Sequence, residues 1–133
     1  MSATTIEDIE GAGPIRRGIV VWYAAFGGVG AWTVHLVFLA AAVHWTSTVT
    51  GGVWILHAAT AACVIATLAA LALAARLHRI AGGARRADES AAEDGGQLLF
   101  LANLGLLVGA INLALIALEG VYAAVLYQPH ALR

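Results

Sequence analysis

Three stretches of the chain are almost uninterruptedly apolar: Gly18 to Trp45, Gly52 to Leu77 and Leu98 to Tyr127. Each exceeds the ~20 residues an α-helix needs to cross a hydrocarbon core ~30 Å thick, so each can span a bilayer with some tilt. Strands of a transmembrane barrel would read as alternating segments of about ten residues, and nothing here alternates. The pattern predicts an all-α integral membrane bundle of three transmembrane helices. It divides the chain into an N-terminal arm (1–17), helix one (18–45), a short link (46–51), helix two (52–77), a loop (78–97), helix three (98–127) and a tail (128–133).

Polar residues inside these stretches are few, and their spacing is helical. Steps of four and three from Gly105 reach Gly109, Asn112, Ile116, Glu119 and Ala123, so polar and small side chains share one stripe of the third span. In the first span Ala24, Gly28, Ala31, His35 and Ala42 do the same. Small residues let membrane helices approach closely and hydrogen-bond across the contact, which makes these two faces the expected bundle interior. Glu119 is the most costly residue there, at roughly +2.5 to +3.5 kcal/mol for a charge at the helix centre. Sixteen Leu, Ile, Val and Phe residues let the span insert regardless. Turning an ionised group toward lipid remains unfavourable, so Glu119 is expected to face protein, to be protonated, or both. His35 lies ten residues inward from Trp45, ~15 Å, and Glu119 eight inward from Tyr127, ~12 Å, so the two can meet as a buried polar pair. His57, ~6 Å inside the second span, is placed to approach from above.

Composition sharpens this picture. The chain is 61% hydrophobic and 11% charged, whereas soluble domains carry about 25% charged residues. A net charge of −1 gives no reason to expect nucleic acid as a partner. Lysine is absent, and of the seven arginines only Arg133 falls on the far side of the spans from Arg16, Arg17, Arg76, Arg79, Arg85 and Arg86. That bias places the N-terminus and the 78–97 loop in the cytoplasm and the C-terminus outside. Trp45, Trp54, Tyr122 and Tyr127 suit an outer aromatic belt, and Trp22 and Tyr23 an inner one. The first span follows an acidic arm ending in two arginines and is too long for a cleaved signal peptide. The loop "AGGARRADESAAEDGG" reads as a solvated connector, with docking of a partner as its alternative, and holds neither a phosphate-loop motif nor metal spacing.

Several chemistries fit the buried polar residues. Packing of the bundle is the plainest. Proton handling is a second, because imidazole changes charge near physiological pH. Haem ligation by His35 and His57 is a third, since histidines on neighbouring helices can clasp a haem, although their depths differ by ~9 Å. Soft Cu(I) ligands are lacking, with Met1 the only methionine and Cys63 the only thiol; the outer histidines 44, 57 and 130 would suit Cu(II) or nothing. His78 beside Arg79 reads as interfacial, and Asn103 as a local hydrogen-bonding residue. No metal site and no catalytic residue is expected.

The string "FGGVGAWTVHL" (26–36), an alanine-rich second span and "NLALIALEGVYAAVLYQPH" (112–130) resemble small three-span membrane proteins found with caa3-type haem-copper cytochrome c oxidases. The resemblance covers most of residues 18 to 130 and rests on Gly27, Gly28, Ala31, Trp32, His35, Leu36, Glu119, Gly120 and Pro129. Val121 stands where that family has proline and His130 where it has cysteine, so a role of the terminal cysteine does not carry over. The resemblance implies an oxidase-associated, non-catalytic accessory subunit or assembly partner in the bacterial inner membrane. Such a subunit has no cofactor of its own, and haem and copper reside in larger partner subunits. Two alternatives of other classes stand beside it: a homo-oligomeric proton-coupled transporter or channel using Glu119, and a b-type haem protein. Three spans without an inverted repeat or a broken helix count against the transporter.

Overall fold

A computed structural model of the chain describes residues 14–46, 52–87 and 92–127, and all of them are helical: α1 (Pro14–Thr46), α2 (Gly52–Ala87) and α3 (Ala92–Tyr127). Within them, Ile15–Ala42, Trp54–Gly83 and Gly95–Tyr122 are long and apolar enough to cross a membrane. The chain is a multi-pass membrane protein. Most of the N-terminal arm, the link, residues 88–91 and the tail with Pro129 and His130 lie outside the described residues, as do the side chains of His44, Trp45, Ala123 and Tyr127.

The helices run past the apolar stretches that announce them. α1 begins at Pro14 rather than Gly18, because proline suits the first turn of a helix, where its missing N–H would have had no partner. The 78–97 segment, expected as a loop, is largely helical: α2 continues to Ala87 and α3 starts at Ala92. Hydropathy marks where a helix leaves lipid, whereas alanine, arginine and glutamate sustain it in water. At 33 residues, α1 is about 50 Å long and exceeds the ~30 Å core.

All three helices pack against one another. Gly28 and Ala24 of α1 lie against Gly109 and Gly105 of α3, and His35 reaches Glu119, so α1 and α3 run parallel. α2 is antiparallel to both: Thr60 meets His35 and lies beside Gly120, Leu71 covers Gly109, and Ala70 lies beside Gly27. Near the start of α1, Ala24, Ala74, Leu77 and Ala102 form an apolar cluster flanked by Val21, Leu73, Leu98 and Leu106.

Buried positions follow three-four steps in every helix. In α2 the stripe is Leu56, Thr60, Cys63, Thr67, Ala70, Ala74, Leu77 and Ala81, a continuous seven-residue repeat of buried and half-buried side chains. In α3 it is Ala102, Gly105, Gly109, Asn112, Ile116 and Glu119. A strict seven-residue repeat keeps its seam facing the neighbours only if the helices wind around each other with a left-handed twist. Six of the nine buried apolar side chains among the described residues are alanine, so the core is held by backbone proximity rather than by bulk. The tightest point is Gly105, where a Cβ would run into the carbonyl oxygen of Ala24; at Gly28 it would come within 2.9 Å of the Gly109 Cα. Both obstacles are backbone and cannot rotate away.

Gly105→Ala is therefore expected to destabilise the bundle by about 1–3 kcal/mol. Gly30→Ala, with nothing within 4 Å of the added carbon, should be neutral or stabilise by up to about 1 kcal/mol. Reversible unfolding of the two variants in mixed micelles compares them directly; equal stability would show that α1 and α3 do not touch at Gly105.

Candidate functional site: a polar clamp across three helices

Toward the Thr46 end of α1 the apolar core gives way to a chain of hydrogen bonds. His35 is completely buried, and its Nδ1 lies 2.9 Å from Glu119 Oε2. Its other ring nitrogen, Nε2, lies 2.9 Å from the Thr60 hydroxyl. That hydroxyl donates to the carbonyl of Leu56, one turn earlier in α2, at 2.9 Å. On the far side, the indole Nε1 of Trp32 donates to Glu119 Oε1 at 3.3 Å. α1 thus supplies an indole and an imidazole, α2 a hydroxyl and α3 a carboxyl group.

Each side chain arrives through the local pattern of its helix. Trp32 and His35 are three residues apart on α1, so they stand on adjacent turns and address the two oxygens of one carboxyl group. Thr60 sits on the buried seam of α2 and reaches His35 because its helix-bonded rotamer aims the hydroxyl at the bundle axis. Gly120, next to Glu119, lets the Thr60 side chain lie against the α3 backbone, since a Cβ there would come within 2.9 Å of its methyl carbon. Of the four members only His35 is fully buried; Trp32, Thr60 and Glu119 are partly open, with 30% of the Glu119 side chain exposed. Every buried side-chain nitrogen and oxygen among the described residues has a hydrogen-bond partner, as a medium without water requires.

The other residues singled out from sequence lie further along the same seam. Gly28, Gly105 and Gly109 form the α1–α3 contact, and Ala31 is half-buried between Gly28 and His35. Asn112 is buried but does not join the clamp; its amide donates to the Val108 carbonyl in its own helix at 2.7 Å. Thr67, fully buried, likewise donates to Cys63 O at 2.8 Å. Asn103 is exposed. Tyr23, assigned to an interfacial belt, also ties α1 to α2, its hydroxyl donating to Ala66 O at 2.8 Å. The ring of His57 packs edge-on against Trp54, with centroids 6.5 Å apart, and the hydrogen bond that His35 makes to α2 goes to Thr60. Both nitrogens of His35 are engaged, so axial ligation of a haem iron by His35 would break one of these contacts.

Two members of the clamp escape a reading of polarity alone. Threonine and tryptophan are too common in membrane helices to stand out. The signal for Thr60 was present as the three-four repeat from Leu56 to Ala81, in which Thr60 and Thr67 interrupt an otherwise apolar seam. Trp32 is betrayed by lying one turn before His35.

The class of protein defined here is an antiparallel three-helix membrane bundle closed by an interhelical carboxyl–imidazole clamp. No family model, curated protein or solved structure matches the chain.

His35→Leu removes the centre of the clamp and leaves Glu119 with Trp32 alone. The expected loss is about 1–3 kcal/mol of bundle stability. Trp32→Phe, which removes one long hydrogen bond from the partly open edge, should cost less than about 1 kcal/mol. A double-mutant cycle with Glu119→Leu checks the assignment: the loss from His35→Leu should shrink in the Glu119→Leu background, and full additivity would mean the pair does not interact.

Proposed function

We propose that the protein is a non-catalytic accessory subunit that packs its apolar exterior against larger integral membrane subunits of a respiratory complex, with a haem-copper cytochrome c oxidase as the partner. The carrying observation is that the buried polar groups are consumed in holding the bundle together. What remains outside is apolar: Val34 and Val37 on α1, Ile65 on α2, and Leu107, Leu118 and Val121 on α3 all point outward. Such a body can fill a space beside a larger membrane protein, cover its hydrophobic surface and hold lipid in place. The choice of oxidase rests on the resemblance carried by "FGGVGAWTVHL" and Glu119–Gly120. Within that motif, the tryptophan, the histidine and the glutamate are the residues that bond to one another, which gives the pattern a structural reason.

The arginine distribution supports a cytoplasmic N-terminus, with the α2–α3 connection on the same side and the clamp in the outer half, and the choice of a bacterial inner membrane rests on the resemblance. Purification in mild detergent through a tag on this chain tests the reading. Co-elution of an oxidase core with haem absorbance is expected, and elution of an isolated homo-oligomer would refute it. In the purified complex, His35→Leu should deplete the subunit severalfold while electron transfer per remaining core changes little.

The partial exposure of Glu119 favours one other reading, a homo-oligomeric proton-coupled transporter that presents this carboxyl group to a shared pore. Proton flux in proteoliposomes that disappears in Glu119→Gln would establish it.

A further inference from the structure

We infer that the clamp holds one structural proton, shared between His35 Nδ1 and Glu119 Oε2, with His35 also protonated at Nε2, so that the pair carries no net charge inside the membrane. The reasoning starts at Thr60. Its hydroxyl has a single hydrogen, and the Leu56 carbonyl 2.9 Å away can only accept it. The 2.9 Å contact between Thr60 Oγ1 and His35 Nε2 must then use a hydrogen on the ring nitrogen. Were the hydroxyl turned around, two lone-pair oxygens would face each other at 2.9 Å with nothing between them.

With Nε2–H settled, the 2.9 Å contact on the other side of the ring requires one hydrogen. Two would collide, and none would set the Nδ1 lone pair against a carboxylate. The hydrogen resides either on nitrogen, giving imidazolium and carboxylate, or on oxygen, giving imidazole and carboxylic acid. Both states are neutral as a pair, which removes the cost of a net charge in hydrocarbon. The Trp32 indole N–H donates to Oε1, the oxygen that carries no hydrogen in either state.

Nothing else described around the pair supplies a competing charge. From α1 it is bonded by Trp32 and from α2 by Thr60, itself bonded to the Leu56 carbonyl, while Gly120 of α3 lies beside Thr60. The other titratable side chains described in this half of the bundle are Cys63, a half-buried free thiol; His57, packed on Trp54; and Tyr122, exposed. Taking the shared proton away would leave an uncompensated negative charge and two opposed lone pairs at the point where α1 meets α3. The proton is thus a component of the fold, as a bound ion would be.

This deepens the reading of the pair as a packing element, and its test runs on the isolated full-length chain, so it is decided separately from any co-purification. Glu119→Gln reproduces the neutral state without a proton to lose: the amide oxygen accepts from Trp32 and the amide nitrogen donates to Nδ1. Nitrogen-15 NMR of histidine-labelled protein in zwitterionic lipid nanodiscs reads the ring directly, with His35 assigned by its absence in His35→Leu. The expected result is a protonated Nε2 and an Nδ1 coupled to the shared proton. Glu119→Gln should keep the unfolding equilibrium within about threefold of the parent. Glu119→Leu should shift it by about tenfold or more. A bare Nε2 in the folded bundle, or a Glu119→Gln as damaging as Glu119→Leu, would overturn the inference.

Discussion

A carboxyl group and an imidazole in a medium without water have to satisfy each other, and the arrangement of this bundle depends on that constraint. Glu119 and His35 stand on different helices, far apart in sequence, so their 2.9 Å contact fixes how α1 lies along α3. The contact of His35 with Thr60 does the same for α2. Along the alanine seams of α2, apolar packing alone would tolerate a slide of one turn, because one alanine resembles another; between α1 and α3 the close contacts at Gly28, Gly105 and Gly109 already resist it. Directional hydrogen bonds between unlike groups do not tolerate it. The polar residues therefore act as pins in an interface whose attractive energy comes from elsewhere.

That energy comes from close approach. Between lipid-immersed helices there is no hydrophobic gain in exchanging lipid for a neighbouring side chain, so association relies on dispersion contacts and hydrogen bonds. Gly28, Gly105 and Gly109 bring the α1 and α3 backbones together, and alanine seams keep α2 close to both. The same proximity makes the clamp possible, because the short Thr60 side chain can reach His35 only if α2 lies near α1. Small residues at one end and polar residues at the other are parts of a single solution.

Interior and exterior divide the work. Inside, every buried side-chain nitrogen and oxygen among the described residues is hydrogen-bonded, and the Glu119 carboxyl group is partly open. Outside, the surface along the spans is mainly apolar, with Thr33, Arg76 and Asn103 among the exposed polar side chains. A body of this kind suits a packing role beside a larger membrane protein, and its neutral interior suits a site that is assembled once and then left undisturbed.

Long apolar stretches determine on their own that there are three membrane helices, because length and composition decide partitioning into a bilayer regardless of tertiary contacts. The cost of burying Glu119, and the helical spacing that lines it up with Asn112, Gly109 and Gly105 as His35 lines up with Gly28, pointed to an inward-facing pair. Helix ends were less legible: Arg16 and Arg17, and Arg85, Arg86, Glu93 and Asp94 beside 88–91, are charged yet helical, and hydropathy does not mark where a helix ends once it turns polar. Only the tertiary structure decided that Thr60 and not His57 completes the clamp, that Trp32 binds the second carboxyl oxygen, and that Asn112 bonds to its own helix. The reason is geometric. Which of several polar residues on neighbouring faces comes within 3 Å of another depends on how the helices rotate and slide, and no single span carries that information.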